Sequence, residues 1–286
     1  MEHDIKIIAL DLDGTLLDSE KRLSPRNKAA LERAAAKGVL IVPTTGRVFS
    51  ALPANVCSLP FVRYAITVNG AQVYDLVADA PLARDEMPVD LVVSVMELLD
   101  GYDVIYDCYR NNQAWMTKDF IDKAEIYATD EHYLASIRQL RHPVPELKRH
   151  LRETRREGDI QKAMLFARVG GGEATAALLR EIAAAIAAKF PEVVVTASTW
   201  NNLEVNTAAA TKGGALLRLA EKFGFAPENC MAFGDGLNDL SMIQAAGIGV
   251  AMANAIPEDL AAADFVTATN DDDGVAIAIE KFCLGE

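Results

Sequence analysis

Ile5-Lys6-Ile7-Ile8-Ala9-Leu10-Asp11-Leu12-Asp13-Gly14-Thr15 is the stretch that decides the fold. Its first six residues are apolar apart from Lys6, and a glycine follows closely. A run this short reads as a buried strand. Two carboxylates stand where that strand ends. Downstream, Ser24-Pro25 supplies a helix N-cap and first helical residue, Ala30, Leu31 and Ala34 recur at helical spacing, and Gly38 stops the helix. A second strand at 39–42 ends in Pro43-Thr44-Thr45-Gly46-Arg47, and a third at 64–68 ends in Asn69-Gly70. Strand, helix, strand with punctuating loops predicts a doubly wound, mainly parallel α/β sheet.

From Arg84 the texture changes. A helix is expected over 90–100, short aromatic-bearing strands at 103–109 and 114–116, a basic stretch at 136–157 broken by Pro143 and Pro145, then strand, helix and strand over 160–169, 173–190 and 193–197. Afterwards the first texture returns. Lys212-Gly213-Gly214 opens a helix, a strand at 230–233 ends in Gly234-Asp235-Gly236-Leu237-Asn238-Asp239, and a further strand spans 248–252. The prediction is a wound core built from residues 1–83 and 201–286, with an α+β module, 84–200, inserted between its halves. The module contains 15 Lys and Arg against 19 acids in a chain whose net charge is −13, so it is less acidic than the rest and suited to a surface near an anion.

That net charge, from 28 basic and 41 acidic residues, argues against nucleic-acid or anionic-membrane partners. The first residues lack the order of a secretory signal, no apolar run approaches a membrane span, and the four cysteines form no CxxC pair. A cytoplasmic location with free thiols is expected.

The candidate chemistry lies where strands deliver their carboxyl ends, which in an open parallel sheet is where sites form. Asp11, Asp13, Asp235 and Asp239 repel one another there unless a cation joins them. All-oxygen donors with no Cys or His suit Mg²⁺. Lys212 adds a positive charge at a helix start, a poor place for one unless anions sit nearby. Thr45 and the amide of Gly46 offer neutral donors. Together these point to phosphoryl transfer, in which positioning and charge stabilisation dominate. Rival motifs fail on spacing. Thr15 and Leu16 break a calcium-loop pattern, Asp239 replaces the last glycine of a dinucleotide fingerprint, and no glycine loop precedes Lys212.

Asp11-Leu12-Asp13-Gly14-Thr15, Thr45-Gly46-Arg47, Lys212-Gly213 and Gly234-Asp235-Gly236-Leu237-Asn238-Asp239, in that order, resemble the four motifs of the haloacid dehalogenase-like hydrolases. Asn69-Gly70-Ala71, Ala251-Met252-Ala253-Asn254-Ala255 and Asp273-Gly274-Val275-Ala276 resemble the Cof-type branch, whose inserted cap follows the third core strand. The resemblance implies a phosphatase acting on a small phosphorylated metabolite. Asp11 would be the nucleophile and Asp13 the acid, then the base. Mg²⁺ would sit on the Asp11 and Asp235 carboxylates and the Asp13 carbonyl, supported by Asp239. Thr45, Gly46, Lys212 and Asn238 would grip phosphate. Arg47 is open between a salt bridge and a substrate contact, and Asn69 between a turn cap and a substrate contact. A phosphotransferase or mutase, or a signalling module phosphorylated on Asp11, shares most of these parts. Asp13 favours hydrolysis of a phosphoester, because an alkoxide leaving group needs a proton.

Overall fold

The computed structural model describes residues 4–197 and 199–286, with nothing stated of the His132 side chain. The opening residues read above for a targeting signal lie partly outside the described residues. The chain divides into two compact units, Met1–Arg84 with Ala210–Glu286, and Asp85–Ala209.

In chain order the strands are β1 (Ile7–Leu10), β2 (Leu40–Pro43), β3 (Tyr64–Thr67), β4 (Gln72–Asp75) and β5 (Ala80–Arg84). There follow β6 (Val104–Arg110), β7 (Gln113–Thr117), β8 (Arg141–Val144), β9 (Lys162–Ala167), β10 (Val193–Thr196) and β11 (Asn202–Thr207). Last come β12 (Cys230–Gly234), β13 (Ile248–Ala251) and β14 (Phe265–Val266).

The first unit is built on an all-parallel sheet of order β14-β13-β12-β1-β2. β1 is buried on both faces, which explains its uninterrupted apolar run. Ile8 and Leu10 join a core with Leu31 and Ala34 of the helix Pro25–Ala36, whereas Ile7 and Ala9 pack towards Leu216 and Leu219 of the helix Lys212–Lys222. Ser24 caps the first helix by accepting the Asn27 amide at 3.0 Å, with Pro25 at its first position. β3 continues past β2 through a single parallel bridge, Thr44 to Ile66, and then turns back into an antiparallel sheet with β4 and β5. That antiparallel extension was not legible in the sequence.

The second unit is a six-stranded sheet of order β10-β11-β9-β6-β7-β8, antiparallel except for the β7–β8 pair. One face carries Tyr106, Cys108, Leu165, Leu203 and Val205, which pack with Val92 and Met96 of the helix Val89–Leu99 and Ile182 of the helix Glu173–Lys189. β11 pairs with β9 in this sheet, so residues 201–209, which the sequence reading assigned to the core, fall in the inserted unit. Among the described residues no helix is long and apolar enough to cross a membrane.

Candidate active site

β1 and β12 lie side by side in register, Leu10 opposite Phe233, yet successive connections leave them in opposite directions across the sheet. This is a topological switch point, where the loops part and leave a crevice. Asp11 follows β1 directly, its amide donating to the Phe233 carbonyl at 3.0 Å, and Asp235 follows β12. Gly14 has φ +91°, and a Cβ there would collide with the Asp235 carboxylate, so the loop passes this close only as glycine. Thr15 Oγ1 donates to Asp235 Oδ1 at 2.5 Å.

Lys212 is the first residue of its helix, capped by the Thr211 hydroxyl, which accepts the Gly214 amide at 3.0 Å. Its side chain is fully buried. The ammonium donates to Asp11 Oδ1 at 2.6 Å and Asp239 Oδ1 at 2.5 Å. Asp239 in turn accepts the Asp235 and Gly236 amides on Oδ2, at 3.0 and 3.1 Å. Both its oxygens are thus engaged, which fixes the Lys212 head. Burial alone would push the Lys212 ammonium down, but Asp11 and Asp239 outweigh it and hold it above its ordinary range. Burial raises the Asp11 carboxyl, Asp239 and Asp235 add to the rise, and Lys212 only partly offsets it. Asp235 is likewise pushed up, to about 6, by burial against Asp239, with Thr15 opposing.

Three acids and one ammonium leave this cluster two negative charges in excess. Asp11, Asp235 and Asp239 each present an oxygen within 4.8 Å of the others, a separation and donor set that fit a small hard cation such as Mg²⁺. The Asp13 carboxylate is not part of that group. It lies between two cations, receiving Arg47 Nη2 on Oδ1 at 2.8 Å, Arg47 Nε on Oδ2 at 2.9 Å, and Lys21 Nζ on Oδ1 at 2.9 Å. Partial burial would raise its carboxyl, but the Lys21 bond and the Arg47 charge prevail and hold it below the ordinary carboxylate range.

The remaining residues read from sequence lie together in the same unit. Thr45 Oγ1 accepts the Arg47 amide at 3.2 Å, and the Thr45 carbonyl accepts the Asn69 amide at 3.1 Å. Asn69, in the left-handed region at φ 56°, accepts Asn238 Nδ2 on its side-chain oxygen at 3.1 Å. Gly46 stands against that same oxygen, which a Cβ would approach to 2.8 Å. Arg47 makes the salt bridge that was one of its two expected roles.

Two residues were missed by sequence reasoning. Lys21 sits in a loop at φ 62° with nothing in its spacing to mark it. Asp259 is fully buried, neither of its carboxylate oxygens has a hydrogen-bond partner among the described residues, and burial beside Asp239 and Asp235 pushes its carboxyl up to about 7. In sequence it passes for an ordinary acid of the first turn of the helix Pro257–Ala262.

Comparison with known proteins places the chain in a family. Residues 8–279 match the haloacid dehalogenase-like hydrolases. A Bacillus subtilis protein named a 5-amino-6-(5-phospho-D-ribitylamino)uracil phosphatase is 32% identical over 281 residues, covering 98% of this chain and 97% of its own. A haloacid dehalogenase-like hydrolase from Bacteroides thetaiotaomicron superposes with a TM-score of 0.77 at 27% identity, over 97% of this chain and 99% of that one. A structure described as a subclass IIB sugar phosphatase gives a TM-score of 0.77 at 25% identity, over 98% and 99%. The chain therefore belongs to the haloacid dehalogenase-like hydrolases, in their Cof-type branch, and is a phosphoric monoester hydrolase.

Proposed function

We propose that the protein is a Mg²⁺-dependent phosphatase that hydrolyses a small sugar- or polyol-type phosphoester through an aspartyl-phosphate on Asp11. The observation that carries this reading is the buried Lys212 ammonium clamped between Asp11 and Asp239, with Asp235 beside them. A carboxylate can approach a phosphate dianion only where cations offset the repulsion. Mg²⁺, held by the Asp11 and Asp235 carboxylates and the Asp13 carbonyl with Asp239 behind them, would supply further positive charge against the phosphate oxygens. The substrates in the names of the relatives, a ribityl phosphate and a sugar phosphate, support the substrate class.

Lys212 orients the Asp11 carboxylate for in-line attack at phosphorus, while Thr45, the Gly46 amide and Asn238 hold the phosphate oxygens. The P–O bond to the alcohol breaks, and Asp13 gives that oxygen a proton. Asp13 then takes a proton from the water that attacks phosphorus and returns Asp11 as a carboxylate. Its ion pairs with Arg47 and Lys21 suit the second step. For the first, Asp13 must carry the proton that it gained from water in the preceding turnover, and substrate must draw Arg47 off it, which gives Arg47 both of its expected roles in turn. Mass spectrometry after rapid quenching with a turned-over phosphoester tests the scheme. A phosphorylated peptide containing Asp11, absent in Asp11→Asn along with turnover, is expected. Phosphate release by Asp11→Asn at the wild-type rate would remove Asp11 from its role, and release that required an added acceptor alcohol would make the enzyme a phosphotransferase.

A further inference from the structure

The two oxygens of Asp13 keep different company. Arg47 Nη2 and Lys21 Nζ both reach Oδ1, at 2.8 and 2.9 Å, whereas Oδ2 receives only Arg47 Nε among the described residues, at 2.9 Å. Withdrawing Arg47 therefore frees Oδ2 and leaves Oδ1 held. The two cations are also mounted differently. Arg47 follows β2, and its one further side-chain bond, Nη1 to the Ala51 carbonyl, is a long 3.3 Å. Lys21 stands on a hairpin tip that is tied down from several sides.

The tip begins at buried Leu17, which bridges both Asp13 and Leu23. Asp18 closes it, its Oδ1 accepting the Glu20 and Arg22 amides at 2.9 Å each and its carbonyl accepting the Lys21 amide at 2.9 Å. Three side chains from the last part of the chain then fasten it. Ser19 donates its amide to Asp271 Oδ1 at 2.8 Å and its hydroxyl to Oδ2 at 2.7 Å. Asn270 Nδ2 donates to the Leu17 carbonyl at 2.9 Å, and Asn254 Nδ2 to the Gly14 carbonyl at 2.8 Å. Asn254 Oδ1 accepts the Asn270 amide at 3.1 Å, which joins the last two ties.

Lys21 itself lies in the left-handed region at φ 62°, a setting that a residue with a Cβ resists. Its ion pair with Asp13 is more than half exposed on the lysine side, and pairs of that kind add little to stability. Stabilisation does not explain so many ties on one exposed ammonium. A requirement for its position does.

We infer that Lys21 is a positioning residue for Asp13: it keeps Oδ1 anchored while Arg47 turns to the substrate, so that Oδ2 is the oxygen that handles the proton. This rests on the phosphatase reading and deepens it. In the first step the proton leaves Oδ2 for the alcohol oxygen as the P–O bond breaks, and the carboxylate left behind still faces an ammonium at Oδ1. In the second, Oδ2 takes a proton from the water that attacks phosphorus. Asp271, Asn270 and Asn254 act further back, by holding the tip from which Lys21 reaches.

Steady-state phosphate release from two kinds of ester tests this. One is the faster of ribitol 5-phosphate and glucose 6-phosphate, whose alkoxide needs a proton. The other is 4-nitrophenyl phosphate, whose leaving group does not. Lys21→Met is expected to lower the ratio of alkyl to aryl kcat/KM by about ten- to a hundredfold, through the alkyl kcat and not its KM. Lys21→Arg should keep most of the wild-type ratio. Asp271→Ala, which leaves Lys21 in place and loosens its mounting, should lower the ratio in the same direction by less. A constant ratio in folded Lys21→Met overturns the inference, whether both esters lose equally or neither does. So does a rise in the alkyl KM with kcat retained, which would make Lys21 a substrate contact. If the wild type releases phosphate from none of the three esters, the phosphatase reading has failed and this inference falls with it. Wild-type turnover without the selective loss overturns this inference alone.

Discussion

Two buried charge clusters, one in each unit, were assembled from the same residue types to opposite ends. Around Lys212 stand three carboxylates, Asp11, Asp235 and Asp239, so the cluster is short of positive charge. Around Tyr109, Asp107 and Glu204 face Arg141 and Lys162 and the sum is zero. The first arrangement carries negative charge in excess, which the proposed function offsets with a cation. The second is electrically complete. Counting signs in a buried cluster therefore separates one that calls for a counter-charge from one that is already neutral.

The largest expected effect lies at Asp13, a carboxylate bridging two half-exposed cations and belonging to neither cluster. Asp13→Asn is expected to slow hydrolysis of alkyl phosphoesters by about 10²–10⁴-fold while sparing esters with good leaving groups. An equal loss for both, read by phosphate release, would mean Asp13 is not the acid.

Next comes the charge balance itself. Lys212→Met leaves two buried acids without their ammonium and should cost about 3–5 kcal/mol in denaturant unfolding without metal. The matched double change in the neutral cluster, Lys162→Met with Glu204→Gln, removes both partners and should cost under about half as much. Equal costs would erase the distinction between the clusters.

The smallest effect concerns pH. Asp235 and Asp259 have carboxyls pushed up to about 6 and about 7, above the ordinary value near 4 that they regain on unfolding. Between those values the folded chain binds protons that the unfolded chain has released, so stability falls as pH rises from 4 through 7. The loss should be complete above 7. Asp259→Val, which removes an unpartnered carboxylate, should raise the unfolding free energy at pH 8 by about 1–3 kcal/mol and flatten the slope. A wild type more stable at pH 8 than at pH 5 in chelator would contradict this.

Most of the first unit was legible because its strands are buried on both faces and announce themselves as apolar runs, with glycines and acids at their carboxyl ends. The site motifs were legible for the same reason, since a wound sheet brings loop ends together wherever they lie in sequence. β11 was not. Its alternation of Leu203 and Val205 with Asn202, Glu204 and Asn206 reads as one dry and one wet face, whereas both faces are buried. Arg141 was hidden in a run of bases, although its neighbours Arg149, Arg152 and Arg155 do make exposed ion pairs. Asp259 acts through Asp239 and Asp235, well before it in sequence, and Lys21 reaches Asp13 from a left-handed turn, and no local pattern marks either.

Phosphate release from a sugar phosphate, followed as EDTA and then Mg²⁺ are added to the wild type and to Asp235→Asn, tests the account most directly. Activity should vanish with chelator and return with Mg²⁺ in the wild type, and Asp235→Asn should need far more Mg²⁺ for any recovery. Turnover that persists undiminished in EDTA would contradict the reading of the Lys212 cluster as a site completed by a divalent cation.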